Sequence, residues 1–185
     1  YAALAANIFA VTAAFGALSR AAQVEQLQAG ITALGTNSGI AMNTLSRGLQ
    51  QATGNALNLE EAMRATALTI SGGFGADTLQ RLGDVARNAS IALGRDTTDA
   101  LNRLVKGATK LEPELLDELG IMVRLDEASA EYAGSLGKTA NQLTLTEKRQ
   151  AFMNAVLEEG ESKFKAIGDA VDTNPYDKLA ASFSD

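Results

Sequence analysis

An all-α fold is predicted by three features of this 185-residue chain. Ala and Leu supply 58 residues (34 and 24), aromatic residues make up only 5%, and apolar positions recur at three- and four-residue spacing between short polar links. Ala and Leu lose little on entering a helix, whereas β-branched and aromatic strand formers are sparse. No alternating run long enough for a sheet is present. The expected architecture is a set of helical hairpins or a bundle, led by a long apolar N-terminal helix, with no significant sheet. Burial scales with apolar area, so a core of Ala and Leu gains less per residue than one of Phe and Ile. Close helix packing, or neighbouring subunits, must make up the difference.

The first helix is expected from near Ala2 to about Leu34, where Gly35-Thr36-Asn37-Ser38-Gly39 breaks it. Its opening nineteen residues, Tyr1 to Ser19, carry no charge, and eight of them are Ala. Leu4, Ile8, Phe9, Val11, Phe15 and Leu18 supply the bulk, interrupted by Asn7, Thr12 and Ser19. A helix of that length spans about 28 Å, close to a bilayer core. No basic n-region or cleavage pattern marks a signal peptide. A buried helix within an assembly and a segment able to enter a bilayer are both open, and the six large residues are the candidates for membrane or partner packing. The abrupt ends at Tyr1 and Asp185, without capping or turn signals, read as those of an excerpt from a longer polypeptide.

A second helix is expected from about Ile40 to Ala52, stopped by Gly54. Asn58 and Glu61 have capping-box spacing, with Glu60 and Glu61 suited to the positive end of the dipole, and that helix should run to about Thr69. A flexible turn, Ser71-Gly72-Gly73-Phe74-Gly75, then precedes a helix opened by Asp77. Leu79, Leu82, Val85, Ala86, Ala89 and Leu93 fall on one face of it, and Arg81, Asp84, Arg87 and Asn88 on the other. Gly94 should stop it, Asp96 or Thr97 cap the next, and Leu101, Leu104, Val105 and Ala108 repeat the spacing. Pro113 suits the start of a short helix ended by Leu119-Gly120. Ile121, Val123 and Leu125 then alternate, which allows a few extended residues.

Thr144 and Glu147 form a second capping box, opening a last long helix with Phe152, Val156, Phe164 and Ile167 on its apolar stripe. Ala155 and Gly160 mark places where a neighbour can approach closely, and Asn174-Pro175 should end the helix. Leu82, Val85, Leu101, Leu104, Phe152 and Val156 are the leading helix-packing candidates. The expected division is an apolar helix over 1–34, a helical domain over 35–170, and a linker over 171–185.

Charge is unevenly spread. Residues 1–59 hold only Arg20, Glu25 and Arg47, net +1; residues 60–109 hold six of each sign; residues 110–185 hold eight positive and fifteen negative, net −7, which together give the chain's −6. With no Cys and no His, disulfides, thiolate metal sites and imidazole-dependent catalysis are excluded. An acidic chain, pI near 4.8, is poorly suited to grip a phosphate backbone. The Gly72-Gly73-Phe74-Gly75 run lacks the strand and the Gly-Lys-Ser/Thr ending of a phosphate loop, and Asp77 would place a negative charge at the anion site. The pairs Glu60/Glu61, Asp117/Glu118 and Glu158/Glu159 point about 100° apart on a helix and read as solvated faces. Asn88-Ala89-Ser90 is a sequon in the middle of a helix. No nucleophile, base and oxyanion donor fall into a defensible arrangement, so no enzyme activity, metal or cofactor is expected.

Several stretches in fixed order carry a resemblance. They are Gln80-Arg81-Leu82 through Ala92-Leu93-Gly94-Arg95, Asp99-Ala100-Leu101-Asn102-Arg103-Leu104-Val105-Lys106-Gly107, and Lys110 through Ile121. Tyr132-Ala133, Leu136-Gly137-Lys138 and Leu143-Thr144 follow, leading into Glu147-Lys148-Arg149-Gln150-Ala151-Phe152-Met153-Asn154-Ala155-Val156. Over roughly residues 60–170 the chain resembles the tape-measure domain of tailed-phage tail tape measure proteins. The resemblance implies a structural virion protein, mostly helical, that lies in the tail-tube lumen, sets tail length during assembly, and leaves ahead of the DNA at infection. It implies partners in the tail tube and the tail tip or baseplate, trimeric self-association, and host-membrane contact at ejection. It implies no catalytic residues and no sequence-specific nucleic-acid binding. The rival classes are a membrane-active pore-forming helical protein and a plain helical adaptor or scaffold.

Overall fold

The computed structural model describes residues 42–172, together with 25–26 and 29–30, which are helical and exposed. The rest of the expected first helix, with Leu4, Ile8, Phe9, Val11, Phe15 and Leu18, lies outside the described residues. So do the 35–39 break and Asn174-Pro175. The described chain forms α1 (Met42–Ala52), α2 (Leu59–Ser71), α3 (Ala76–Leu93), α4 (Thr97–Lys110), α5 (Glu114–Asp117), α6 (Leu125–Ser135), a 3-10 turn (Ala140–Gln142) and α7 (Leu145–Asp172). The fold is all-α, with no strand among the described residues.

Local chemistry sets most of the boundaries. The Asn58 side chain accepts from Glu61 N–H while the Glu61 carboxylate accepts from Asn58 N–H, so the box that opens α2 is complete. Asp96 caps α4 by accepting from Asp99 N–H at 2.9 Å. Gly94, at φ +63°, ends α3 in the left-handed conformation that a side chain resists. Pro113 precedes α5 with φ −62°, the angle its ring imposes. Thr144 and Glu147 exchange the same reciprocal bonds ahead of α7.

Four expectations need correction. Asp77 does not open α3: the N-cap is Gly75, which has no side chain to cap with, and Asp77 sits inside the first turn. Leu93 leaves the apolar face and is 43% exposed, because it is the last residue of α3, directly before the Gly94 stop. The 71–75 segment is no loose turn: Ser71 completes α2, and Phe74 is buried in the core, which pins the glycines beside it. The extended backbone expected over 121–125 is present at Arg124 but stops there, because Leu125 opens α6, a helix whose inward face is mostly Ala128, Ser129 and Ala133.

α3 is the hub, packed against α1, α2, α4 and α7. Leu79, Leu82, Val85, Ala86 and Ala89 of α3 join Leu101, Leu104 and Val105 of α4 and Phe152, Met153 and Val156 of α7 in one continuous core. All six helix-packing candidates lie in it. Glycines allow the close approaches. A Cβ on Gly83 would lie 2.8 Å from that of Ala52 in α1, and one on Gly160 would lie 2.6 Å from Val85 Cγ1. Gly107 of α4 is closed over in the same way by Leu116. Hydroxyls buried at the helix contacts bond back to the preceding turn: Ser46 to Met42 O, Thr66 to Ala62 O and Thr69 to Ala65 O. Each buried donor is thereby satisfied without leaving its own helix.

The contacts also fix direction. Gly73 faces Thr146, Gly160 meets Val85 and Gly168 meets Asn88, so α3 and α7 run in parallel. Thr44 and Leu45 share a cleft with Ala76 and Asp77, while Ala52 meets Gly83, so α1 runs the same way. The described chain therefore enters α1 at one end of α3 and leaves α7 at the other, roughly 27 Å apart along an 18-residue helix.

Glycine packing is testable by one chemical change at two positions. Gly48→Ala, where a Cβ meets nothing within 4 Å, should stabilise the fold by about 1 kcal/mol through helix propensity. Gly160→Ala should lose about 1–2 kcal/mol net, because overpacking against Val85 outweighs that gain, and Val85→Ala in the same chain should recover part of the loss. Urea unfolding midpoints of the variants check this.

Candidate interaction groove

Several residues that could have carried chemistry have structural partners. Glu60 pairs with Arg64 at 2.7 Å and Glu61 completes the α2 cap. Asn88 lies against Gly168, and the buried Ser90 hydroxyl donates to Arg87 O and hydrogen-bonds Thr97, so the sequon is packed between helices. Asp77 sits in the first turn of α3 beside the Gly72–Gly75 loop, where it opposes anion binding. Among the described residues no group of three acidic side chains could hold a metal ion, and no helix is long and apolar enough to cross a membrane.

Two polar joints hold the helices in register. In the first, Arg95 donates to the Glu118 backbone O at 3.0 Å and to its carboxylate at 3.1 Å, and Arg103 reaches the same carboxylate at 2.8 Å. Arg103 also bonds Asp99 at 2.9 Å. The Arg95 and Arg103 guanidiniums hold the Glu118 carboxyl below its ordinary range. This clamp fastens the turn after α5 to the start of α4. In the second joint, Lys138 binds the Glu147 carboxylate, which also accepts from the Thr144 backbone N–H and hydroxyl. It closes the link between α6 and α7. A bidentate pair, Arg81 to Glu161 at 2.5 and 2.8 Å, ties α3 to α7, and Glu161 raises the Arg81 pKa.

A groove lies between α6 and α7, which run antiparallel. Ser135 faces Ala151 at one end, and Arg124 faces Glu159 and Ser162 at the other. Its two halves enclose about 210 and 360 Å³ and share Ala128, Glu131, Ala155 and Glu158. Ala128, Ala151 and Ala155 make a shallow apolar floor, because small residues on both helices leave the space unfilled. Tyr132 and Asn154 line one half; Glu127, Glu131, Glu158 and Glu159 crowd the other. Met122 stands at the rim, 77% exposed. From the sequence, Ala155 reads as a point of close approach and Glu158/Glu159 as a solvated face, while Val123, Tyr132, Ala151 and Asn154 enter only through alternation or the resembling stretches. α6 escaped because an alanine face gives weak periodicity, and a groove made by two helices has no linear signature.

No protein-family model matches the chain, and no solved structure matches it.

The α6–α7 joint gives the fold a defined acid response. With Lys138 foremost, then the Thr144 bonds, the Glu147 pKa falls from 4.5 to about 2. A folded-state pKa below the unfolded one means the carboxylate stabilises fully above about 4.5 and loses that effect as pH falls toward 2. Glu147→Gln should lower the urea midpoint at pH 7, with the gap to the wild type closing progressively between pH 4.5 and pH 2. A pH series of unfolding curves reads both effects.

Proposed function

We propose that the chain is a structural, non-catalytic segment of a phage tail tape measure protein, at work in the virion tail. In this reading it contributes to tail length during assembly and takes part in genome ejection, with tail-tube and tail-tip proteins and further copies of itself as partners. The observation that carries the reading is the through-running path: parallel α1, α3 and α7 bring the chain in at one end of α3 and out at the other. A segment that adds length to a larger chain needs that arrangement; a hairpin returning to its starting point would add none. A second support is where the resembling stretches fall. Arg95, Asp99, Arg103 and Glu118 build the α4–α5 clamp, and Lys138, Thr144 and Glu147 build the α6–α7 joint. The resembling stretches thus include the residues that tie these helices and links together, along with much of the core.

The uncharged stretch over 1–19 fits a segment that packs on partners in the virion and inserts into a bilayer after release. Flotation of a 1–40 peptide with liposomes tests that half; no binding at any lipid composition would sink it. A plain helical scaffold is the second reading, favoured by the single core joining α2 to α7.

Deletion of 42–172 from the full-length protein decides between them, with tail length measured by electron microscopy. With entry and exit about 27 Å apart along α3, the described fold should remove about 3 nm of tail. The same residues drawn out as one continuous helix would remove about 20 nm. Unchanged length would reject the measuring role and leave the segment as a plug or ejection part, or as a scaffold.

A further inference from the structure

We infer that the α6–α7 groove is the docking site for a Lys/Arg-bearing helical segment of a partner protein. Three observations converge on that occupant. The groove is concave, with a short apolar floor made by Ala128 of α6 and by Ala151 and Ala155, about one turn apart, of α7. A helix with small side chains on one ridge can lie close to such a floor. Met122, the most exposed large hydrophobic residue of the described fold, stands at its edge and offers an adaptable apolar contact.

The third observation is where the fold leaves its negative charge uncompensated. Several carboxylates elsewhere are matched: Glu60 by Arg64, Glu118 by Arg95 and Arg103, Glu147 by Lys138, Glu161 by Arg81. Around the groove only Glu127 has its own cation, Arg124, which it shares with Asp126. Glu131, Glu158 and Glu159 form no ion pair among the described residues, although all three face the same cleft. Like charges facing one opening repel one another, and a cationic occupant relieves the repulsion.

The same chemistry rejects two other occupants. The groove offers no set of ligands for a metal ion, and its sign repels nucleic acid. The inference does not depend on the tail tape measure reading.

The test titrates the full 185-residue chain with a synthetic 14-residue helical peptide carrying Ala on one ridge and Lys along both flanks, read by calorimetry and amide chemical shifts. Binding is expected, with shifts concentrated on 122–135 and 151–162. It should weaken about tenfold in the triple variant Glu131→Gln, Glu158→Gln, Glu159→Gln, since each exposed pair adds a modest increment, and weaken further with salt. The control variant Glu112→Gln, Glu114→Gln, Asp117→Asn makes the same change in net charge around α5 and should bind as the wild type does. All six side chains are solvent-facing or partly so, and circular dichroism of each variant verifies the fold. No binding, equal weakening in both variants, or shifts mapping elsewhere would overturn the proposal. So would a dimer of the unliganded chain in sedimentation that only the groove variant dissolves, which would make the occupant a second copy.

Discussion

The fold depends on how closely α1 and α7 can approach α3. A core so rich in alanine buries little area per residue, and its attraction comes from many atoms held at contact distance. Gly83 lets the end of α1 touch the middle of α3, and Gly160 lets Val85 press into the backbone of α7. With those helices drawn in, the Leu79–Leu82–Val85 stripe and the Phe152–Val156 stripe interlock without large gaps. Any side chain at either glycine would push a whole helix outward and thin the contacts along its length.

Close packing leaves little room for stray polar groups: the Thr109 hydroxyl and Arg149 Nε are buried without a hydrogen-bond partner, and the others are handled in two ways. Hydroxyls at the α1–α2 contact turn back onto their own helices, so Ser46, Thr66 and Thr69 fill small spaces at no cost in unmet hydrogen bonds. Charges are kept at the surface and spent on joints: Arg95 and Arg103 on Glu118, Lys138 on Glu147, Arg81 on Glu161. Such exposed pairs add little stability individually. Their geometric effect is larger, since each ties one helix or link to another and so constrains the path of the chain.

What was legible in the sequence was what is local. The Asn58/Glu61 and Thr144/Glu147 boxes depend on residues three apart, and the Leu82–Val85, Leu101–Leu104 and Phe152–Val156 stripes on helical period; all of these stand in the structure. Gly160 was readable as a place of close approach, though not its partner Val85. Features that join distant segments were hidden. Arg95 and Glu118 are 23 residues apart and Arg81 and Glu161 are 80 apart, so neither pair has a linear signature. α6 was missed because Ala128 and Ala133 face inward without a stripe of large residues, and Phe74 because a core aromatic inside a glycine run looks like part of a turn. The groove inherits both difficulties.

The functional account rests on the chain running through the fold, in at one end of α3 and out at the other. Because the chain contains no cysteine, pairs of spin labels can be placed cleanly at exposed positions, one pair on Asn43 and Thr146 and one on Asn43 and Ala166. Thr146 and Ala166 are about 30 Å apart along α7, and the parallel arrangement puts Thr146 at the same end as Asn43. Pulsed electron–electron distance measurement should therefore find the Asn43–Ala166 separation longer than Asn43–Thr146 by about 15 Å. Equal distances, or the reverse order, would mean that the chain doubles back, and would contradict the account.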